Sequence, residues 1–293
     1  MEYHLKKEKL EATILSKGAE LVSLKKDGTE YMWCGDPAYW NRTAPILFPF
    51  VGSLNGKQYR YGGKTYHIGQ HGFARDMEFD LVSESDTKLV MEVRETAETM
   101  EIYPFHFLLE LSFELGEDGL TVGWKVKNTD EKTMYFSIGG HPAFNCPMGG
   151  RGSQSDYALR FQKEGRPLQE IVSEMIGEGG LVTGERTTFG LEDGYLPVTP
   201  NLFDADTIVL EDGQTDEISL CDPEGKEYVC VKFPMPIVGI WTPIEKNAPF
   251  LCIEPWCGRC DDMGYEGDLS DRRWGNELKP GQVFETAYMI AVK

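Results

Sequence analysis

Phe107-Leu108-Leu109-Glu110-Leu111-Ser112-Phe113-Glu114-Leu115, followed by Gly116-Glu117-Asp118-Gly119 and Leu120-Thr121-Val122-Gly123-Trp124-Lys125-Val126-Lys127, is the stretch that decides the fold. Two strand-forming runs joined by a short connection bounded by glycines read as an antiparallel pair. The same signals continue outward in both directions. Upstream, Leu10 to Leu15, Glu20 to Leu24 and Glu30 to Trp33 are short β-like runs, with Lys25-Lys26-Asp27-Gly28 as a turn. Tyr59 to Tyr66 is a hairpin around Gly62-Gly63, and Glu78 to Val82 and Lys88 to Val93 read as strands. Downstream, strands are expected at Met134 to Ile138, Thr207 to Leu210, Glu217 to Cys221, Glu227 to Phe233, Val238 to Trp241, Phe250 to Ile253 and Val283 to Val292.

The remaining segments have other characters. Asp36 to Trp40 reads as one helical turn, and Ala44 to Gly52, broken by Pro45 and Pro49, as a buried connector. Residues 146 to 205 are polar and glycine-rich and read as long loops with one or two short elements. No segment sustains a 3.6-residue period, no GxGxxG opens a helix and no P-loop occurs, which excludes nucleotide binding through those scaffolds. Nothing in the composition divides the chain. The expected fold is all-β, one domain over residues 1–293, a large antiparallel β-sandwich or closed sheet assembly.

Bulk properties narrow the partners. Hydrophobic residues at 41% and charged residues at 26% are ordinary for a soluble globular protein. A formal net charge of −19 opposes encounter with nucleic acid and with anionic membrane surfaces. No run of about 18 apolar residues marks a membrane span, and the basic residues after Met1 precede no apolar run of the signal-peptide kind. Seven cysteines scattered along the chain do not form a secreted disulfide framework, so the cytoplasm is the expected compartment. Cys257-Gly258-Arg259-Cys260 has the spacing of a redox or zinc pair, yet no second pair or later histidine accompanies it. Two incidental loop thiols are the favoured reading.

Three places could carry chemistry. In Tyr66 to Asp76 an imidazole, an amide and a guanidinium crowd together, and an extended backbone would put His71, Phe73 and Arg75 on one face and Gln70, Gly72 and Ala74 on the other. A solvated strand with an ordinary His and Arg would look the same. His141 follows Gly139-Gly140 and precedes Pro142; a continuing strand would align Tyr135, Ser137, Gly139 and His141 on one face. Such a lone His is more often a capped core residue. Glu254 ends the otherwise apolar run Pro249 to Ile253, where an ionised carboxylate needs partners, even if only a structural arginine. A carboxylate and an imidazolium together form a base and an acid. Trp241 and Trp256 could stack on the apolar face of a sugar, or simply fill the core.

Gln70-His71-Gly72-Phe73-Ala74-Arg75, Gly140-His141-Pro142-Ala143-Phe144, Cys252-Ile253-Glu254-Pro255-Trp256-Cys257-Gly258 and Glu277-Leu278-Lys279-Pro280-Gly281-Gln282-Val283-Phe284, in this order, resemble the aldose 1-epimerase (galactose mutarotase-like) family, most closely its LacX-type branch. The motifs span most of the chain. The resemblance implies a β-sandwich of large curved antiparallel sheets and interconversion of sugar anomers. It implies Glu254 as the general base at the C1 hydroxyl and His141 as the general acid at the ring oxygen. His71 would support the C1 region, and Arg75, with Gln70, Trp241 and Trp256, would hold the sugar. No metal or organic cofactor is implied, since only two protons move.

Two departures bear on the substrate. Typical galactose mutarotases carry an Asn-Arg pair upstream of the first histidine, whereas Asn41-Arg42 here lies well before His71. Their distal sugar-binding aspartate corresponds to Asp206, or to Asp204 in the alternative register. A hexose-phosphate mutarotase, with Arg42, Arg60, Arg75 or Arg259 on the phosphate, and a non-catalytic carbohydrate-binding protein are the other readings. A glycosidase would need a second carboxylate flanking the bond. A monomer or homodimer with a small-molecule sugar substrate is expected.

Overall fold

In a computed structural model that describes residues 1–244 and 246–293, the deciding stretch forms an antiparallel pair, Phe107–Leu115 with Gly119–Asn128. Leu115 faces Leu120 and Phe107 faces Asn128. The alternation dictates the burial: Phe107, Leu109, Leu111, Phe113 and Leu115 turn inward, as do Leu120, Val122, Trp124 and Val126. The last strand, Val283–Val292, lies beside Gly119–Asn128, and Lys88–Arg94 flanks the other side of the pair. With Glu227–Lys232, Glu217–Cys221, Ala158–Lys163 and three further strands they form a ten-stranded sheet.

A second sheet of eight strands has Phe250–Cys257 near its centre. Ile237–Trp241 pairs along one edge of that strand, and Ile138–Gly140 and Ala143–Asn145 along the other. All assigned strand pairs are antiparallel. Smaller sheets complete the fold, one of them four-stranded and built from Glu2–Lys7, Leu10–Leu15, Glu20–Lys26 and Thr29–Glu30. One apolar cluster runs from Tyr3 to Val292, so the sheets share a core and form a large antiparallel sandwich. Among the described residues the one α-helix is Ala97–Ile102, capped by Thr96, whose hydroxyl accepts from the Thr99 N–H. Among the described residues no helix is long and apolar enough to cross a membrane.

Several expectations need correction. Residues 146–205 are not mainly loop; they contain Ala158–Lys163, Glu170–Gly177, Leu181–Gly190 and two shorter strands. Leu181–Gly190 is exposed over most of its length, so ladder bonds to Glu170–Gly177, not an apolar pattern, define it. The Tyr66–Asp76 stretch is extended only as far as His67. His71 and Gly72 adopt left-handed φ of 66° and 69°, and Ala74–Asp76 is a 3₁₀ turn, so alternate facing does not apply.

The strand expected through Tyr135 to His141 is broken at Ser137. Met134–Phe136 pairs with Asn276–Leu278, whereas Ile138–Gly140 joins the eight-stranded sheet. Ser137 serves the Pro45–Val51 connector instead: its N–H donates to the Pro49 carbonyl at 2.8 Å, and its hydroxyl accepts from Val51 N–H at 2.9 Å. That connector contributes a two-residue strand, Ile46–Leu47. Finally, Glu254 does not end its strand. Pro255 removes one ladder donor, but the strand continues to Cys257 and remains buried throughout.

Candidate active site

Glu254 sits opposite Gly239, and Trp256 opposite Gly139 and Ile237. A Cβ on Gly139 would lie 2.5 Å from Trp256 Cδ1, and one on Gly239 2.4 Å from Trp256 Cη2. The indole therefore lies flat across two glycines on neighbouring strands. This explains a glycine in each strand better than any turn requirement does.

His141 leaves the sheet just after Gly140, its N–H donating to the Pro45 carbonyl at 3.1 Å. Its Nε2 stands 3.3 Å from Glu254 Oε2, and both side chains are buried. Trp40 stacks on the imidazole with centroids 4.7 Å apart and planes at 30°, while Trp241 meets it edge-on at 5.5 Å. The rings fix the imidazole plane from two directions.

His71 approaches His141 edge-on, with ring centroids 5.6 Å apart. Its Nδ1 accepts the Gly52 N–H at 3.1 Å, which leaves the ring proton of the neutral imidazole on Nε2. Burial, reinforced by His141, Arg75 and Arg42, holds His71 well below the usual histidine range, so it acts as a neutral donor. Arg75 donates to the Gln70 carbonyl at 2.8 Å, and Arg42 lies beside it, paired with Asp76 at 2.8 Å. Asp206 has φ of 71°, and one carboxylate oxygen accepts from the Thr207 N–H and hydroxyl.

Glu254, His141, His71, Arg75, Asp206, Gln70, Trp241 and Trp256 all line one cavity of about 330 Å³. That volume is at the small end of the range for ligand sites. Asp204 lines a neighbouring groove instead. Trp40 and Cys260 also line the cavity; the turn at Asp36 to Trp40 is legible in the sequence, but nothing local ties it to a histidine a hundred residues later. Of the other candidate phosphate ligands, Arg60 lines a separate cleft and Arg259 is buried in ion pairs with Glu211 and Asp262. Arg259 also donates to the Cys260 carbonyl, and Arg272 to the Arg259 carbonyl, clamping the segment that carries Cys260. Cys257 and Cys260 are free thiols that burial pushes up to about 12, unlike a redox-active thiolate pair.

Arg75 Nε, His141 Nδ1, Glu254 Oε2 and Trp256 Nε1 are buried without a hydrogen-bond partner in the protein. All four atoms belong to residues that line the cavity. Burial also sets the charges. It pulls His141 down to about 3 and pushes Glu254 well above the usual carboxylate range. Both shifts oppose charge, so burial favours a neutral imidazole beside a neutral carboxylic acid.

The aldose 1-epimerase family model matches residues 1–290. The chain is 31% identical over 301 residues to Protein LacX, in its plasmid and chromosomal forms, of Lactococcus lactis subsp. lactis, covering 100% of this chain and 99% of the relative. Among solved structures, a galactose mutarotase-like protein from Lactobacillus casei is 34% identical with a TM-score of 0.93, each chain covered to 100%. A galactose mutarotase related enzyme from Lactobacillus acidophilus is 32% identical with a TM-score of 0.94, covering 100% of this chain and 97% of that one. The fold, the length of the match and the order of its motifs agree: this chain belongs to the aldose 1-epimerase family.

Proposed function

We propose that this protein interconverts the α and β anomers of a free aldose, with Glu254 as base and His141 as acid. The observation that carries the reading is the 3.3 Å approach of two buried, oppositely acting proton carriers on a cavity of sugar-accommodating size. In the reactive state the pair is carboxylate and imidazolium. Glu254 removes the C1 hydroxyl proton while His141 protonates the ring oxygen, and the C1–O5 bond opens. Rotation about C1–C2 presents the other carbonyl face, and the reverse transfers close the other anomer.

Electrostatics favour this direction of transfer. The ion-pair and neutral forms of the dyad carry the same number of protons, so no proton need be exchanged with water. Ring opening converts the charged pair to carboxylic acid and neutral imidazole, the form that burial prefers. Desolvation thereby strengthens both the base and the acid. His71 supplies a neutral N–H beside His141, and Arg75 brings a guanidinium to the cavity wall for the sugar oxygens.

The test follows anomerisation of fresh α-D-glucose and α-D-galactose by polarimetry, with the uncatalysed rate subtracted. Acceleration of either sugar is expected. No acceleration of either, together with activity on a hexose 6-phosphate, would transfer the reading to phosphorylated sugars held by Arg75 and the adjacent Arg42. Binding of sugar without acceleration of any would make the protein a carbohydrate-binding module.

A further inference from the structure

Directly behind the proton-carrying pair lies a group that the mechanism leaves idle. Cys252 precedes Glu254 by two positions on the Phe250–Cys257 strand, so the two side chains project from the same face. The strand partner of Cys252 is Ala143, two residues beyond His141. A ring nitrogen of His141, Cys252 Sγ and a carboxylate oxygen of Glu254 consequently lie within 4.8 Å of one another, and all three residues are buried. Glu254 Oε2 has no hydrogen-bond partner, and Cys252 is a free thiol.

We propose that His141, Cys252 and Glu254 form a binding site for a thiophilic divalent cation, zinc or cadmium, and that occupancy blocks the sugar site. Zinc with nitrogen and oxygen ligands at roughly 2.0–2.1 Å in tetrahedral array holds those atoms about 3.3 Å apart. The His141–Glu254 separation of 3.3 Å already matches that edge. A thiolate at about 2.3 Å completes a three-residue set, with the fourth position left to a small ligand from the cavity.

Charge and softness select the ion. Thiolate and carboxylate together cancel a 2+ charge, so the buried complex is neutral. Magnesium and calcium are excluded by the ligand set, because they require more ligands, mainly oxygens. The imidazole is already oriented by the stacked Trp40 ring, which limits the ordering cost of ligation. The bound ion would occupy the lone pairs of both Glu254 and His141 and so disable acid and base together.

Inhibition rests on the anomerase reading above, whereas ion binding does not, and the experiment separates them. Zinc binding is measured by calorimetry on the full chain in a Cys34→Ser background, which removes the exposed thiol. Cadmium binding is followed by the thiolate-to-metal charge-transfer band in the ultraviolet. The background protein is expected to bind one ion with a Kd below about 100 μM and to show the band. Adding Cys252→Ala should abolish the band and raise the Kd well above that bound, leaving an anomerase that zinc at about 100 μM no longer inhibits. Absence of one-to-one binding, or a band that survives Cys252→Ala, would overturn the proposal. Binding through Cys252 in a protein that anomerises no sugar would uphold the metal site and refute the anomerase reading.

Discussion

Glu254→Gln should move activity and stability in opposite directions. The substitution keeps the size and polarity of a residue that is 1% exposed and removes its ability to take a proton. Positioned proton transfer contributes about 10²–10⁴-fold to rate, so the variant should lose roughly 3–5 kcal/mol of transition-state stabilisation. Stability follows from linkage. Glu254 is held above its ordinary value of 4.5 by burial, so the folded state keeps a proton that the unfolded chain releases. Wild type therefore loses stability as pH rises from 4.5 towards the folded-state value, at up to about 1.4 kcal/mol per pH unit.

By pH 7 this penalty reaches at most about 3 kcal/mol, and glutamine does not incur it. The variant should melt several degrees above wild type at pH 8, with the difference closing as pH approaches 4.5. Polarimetry and a melting series from pH 4.5 to 8 read both quantities on the same preparations. Anomerisation within tenfold of wild type, or a variant less stable at pH 8, would refute the reasoning.

The pH dependence of wild-type activity offers a second test. With His141 lowered to about 3 and Glu254 raised, the one-proton dyad extends beyond both ordinary values, so kcat/KM should stay flat through the interval from 4.5 to 6.5. A narrow bell between 4.5 and 6.5, the ordinary values of the two groups, would contradict the buried pair. Asp206→Asn should raise KM for the sugar about tenfold, the worth of a hydrogen bond to a charged group, while Asp204→Asn in the adjacent groove should change it less than twofold. Equal effects in Michaelis kinetics would remove Asp206 from the sugar.

The all-β character, the antiparallel hairpin at Phe107 to Lys127 and the order of the motifs around His71, His141 and Glu254 are legible in the amino-acid order alone. These are local properties: apolar alternation, turn glycines and short runs of residues that need no distant partner to be read. Leu181–Gly190 escaped because ladder bonds, and not an apolar pattern, define it, whereas Ala158–Lys163 carries an alternation of Leu159 and Phe161 inside a polar, glycine-rich region. Trp40 escaped because its stacking on His141 exists only once the chain has folded. Tertiary structure alone decided the rest. It placed the acid and base 3.3 Å apart, put Asp206 in the cavity and Asp204 outside it, broke the strand at Ser137, and set Cys252 behind the dyad. It also decided the charges. Proton affinity depends on desolvation and neighbouring groups, which strand packing creates and no linear order of residues contains.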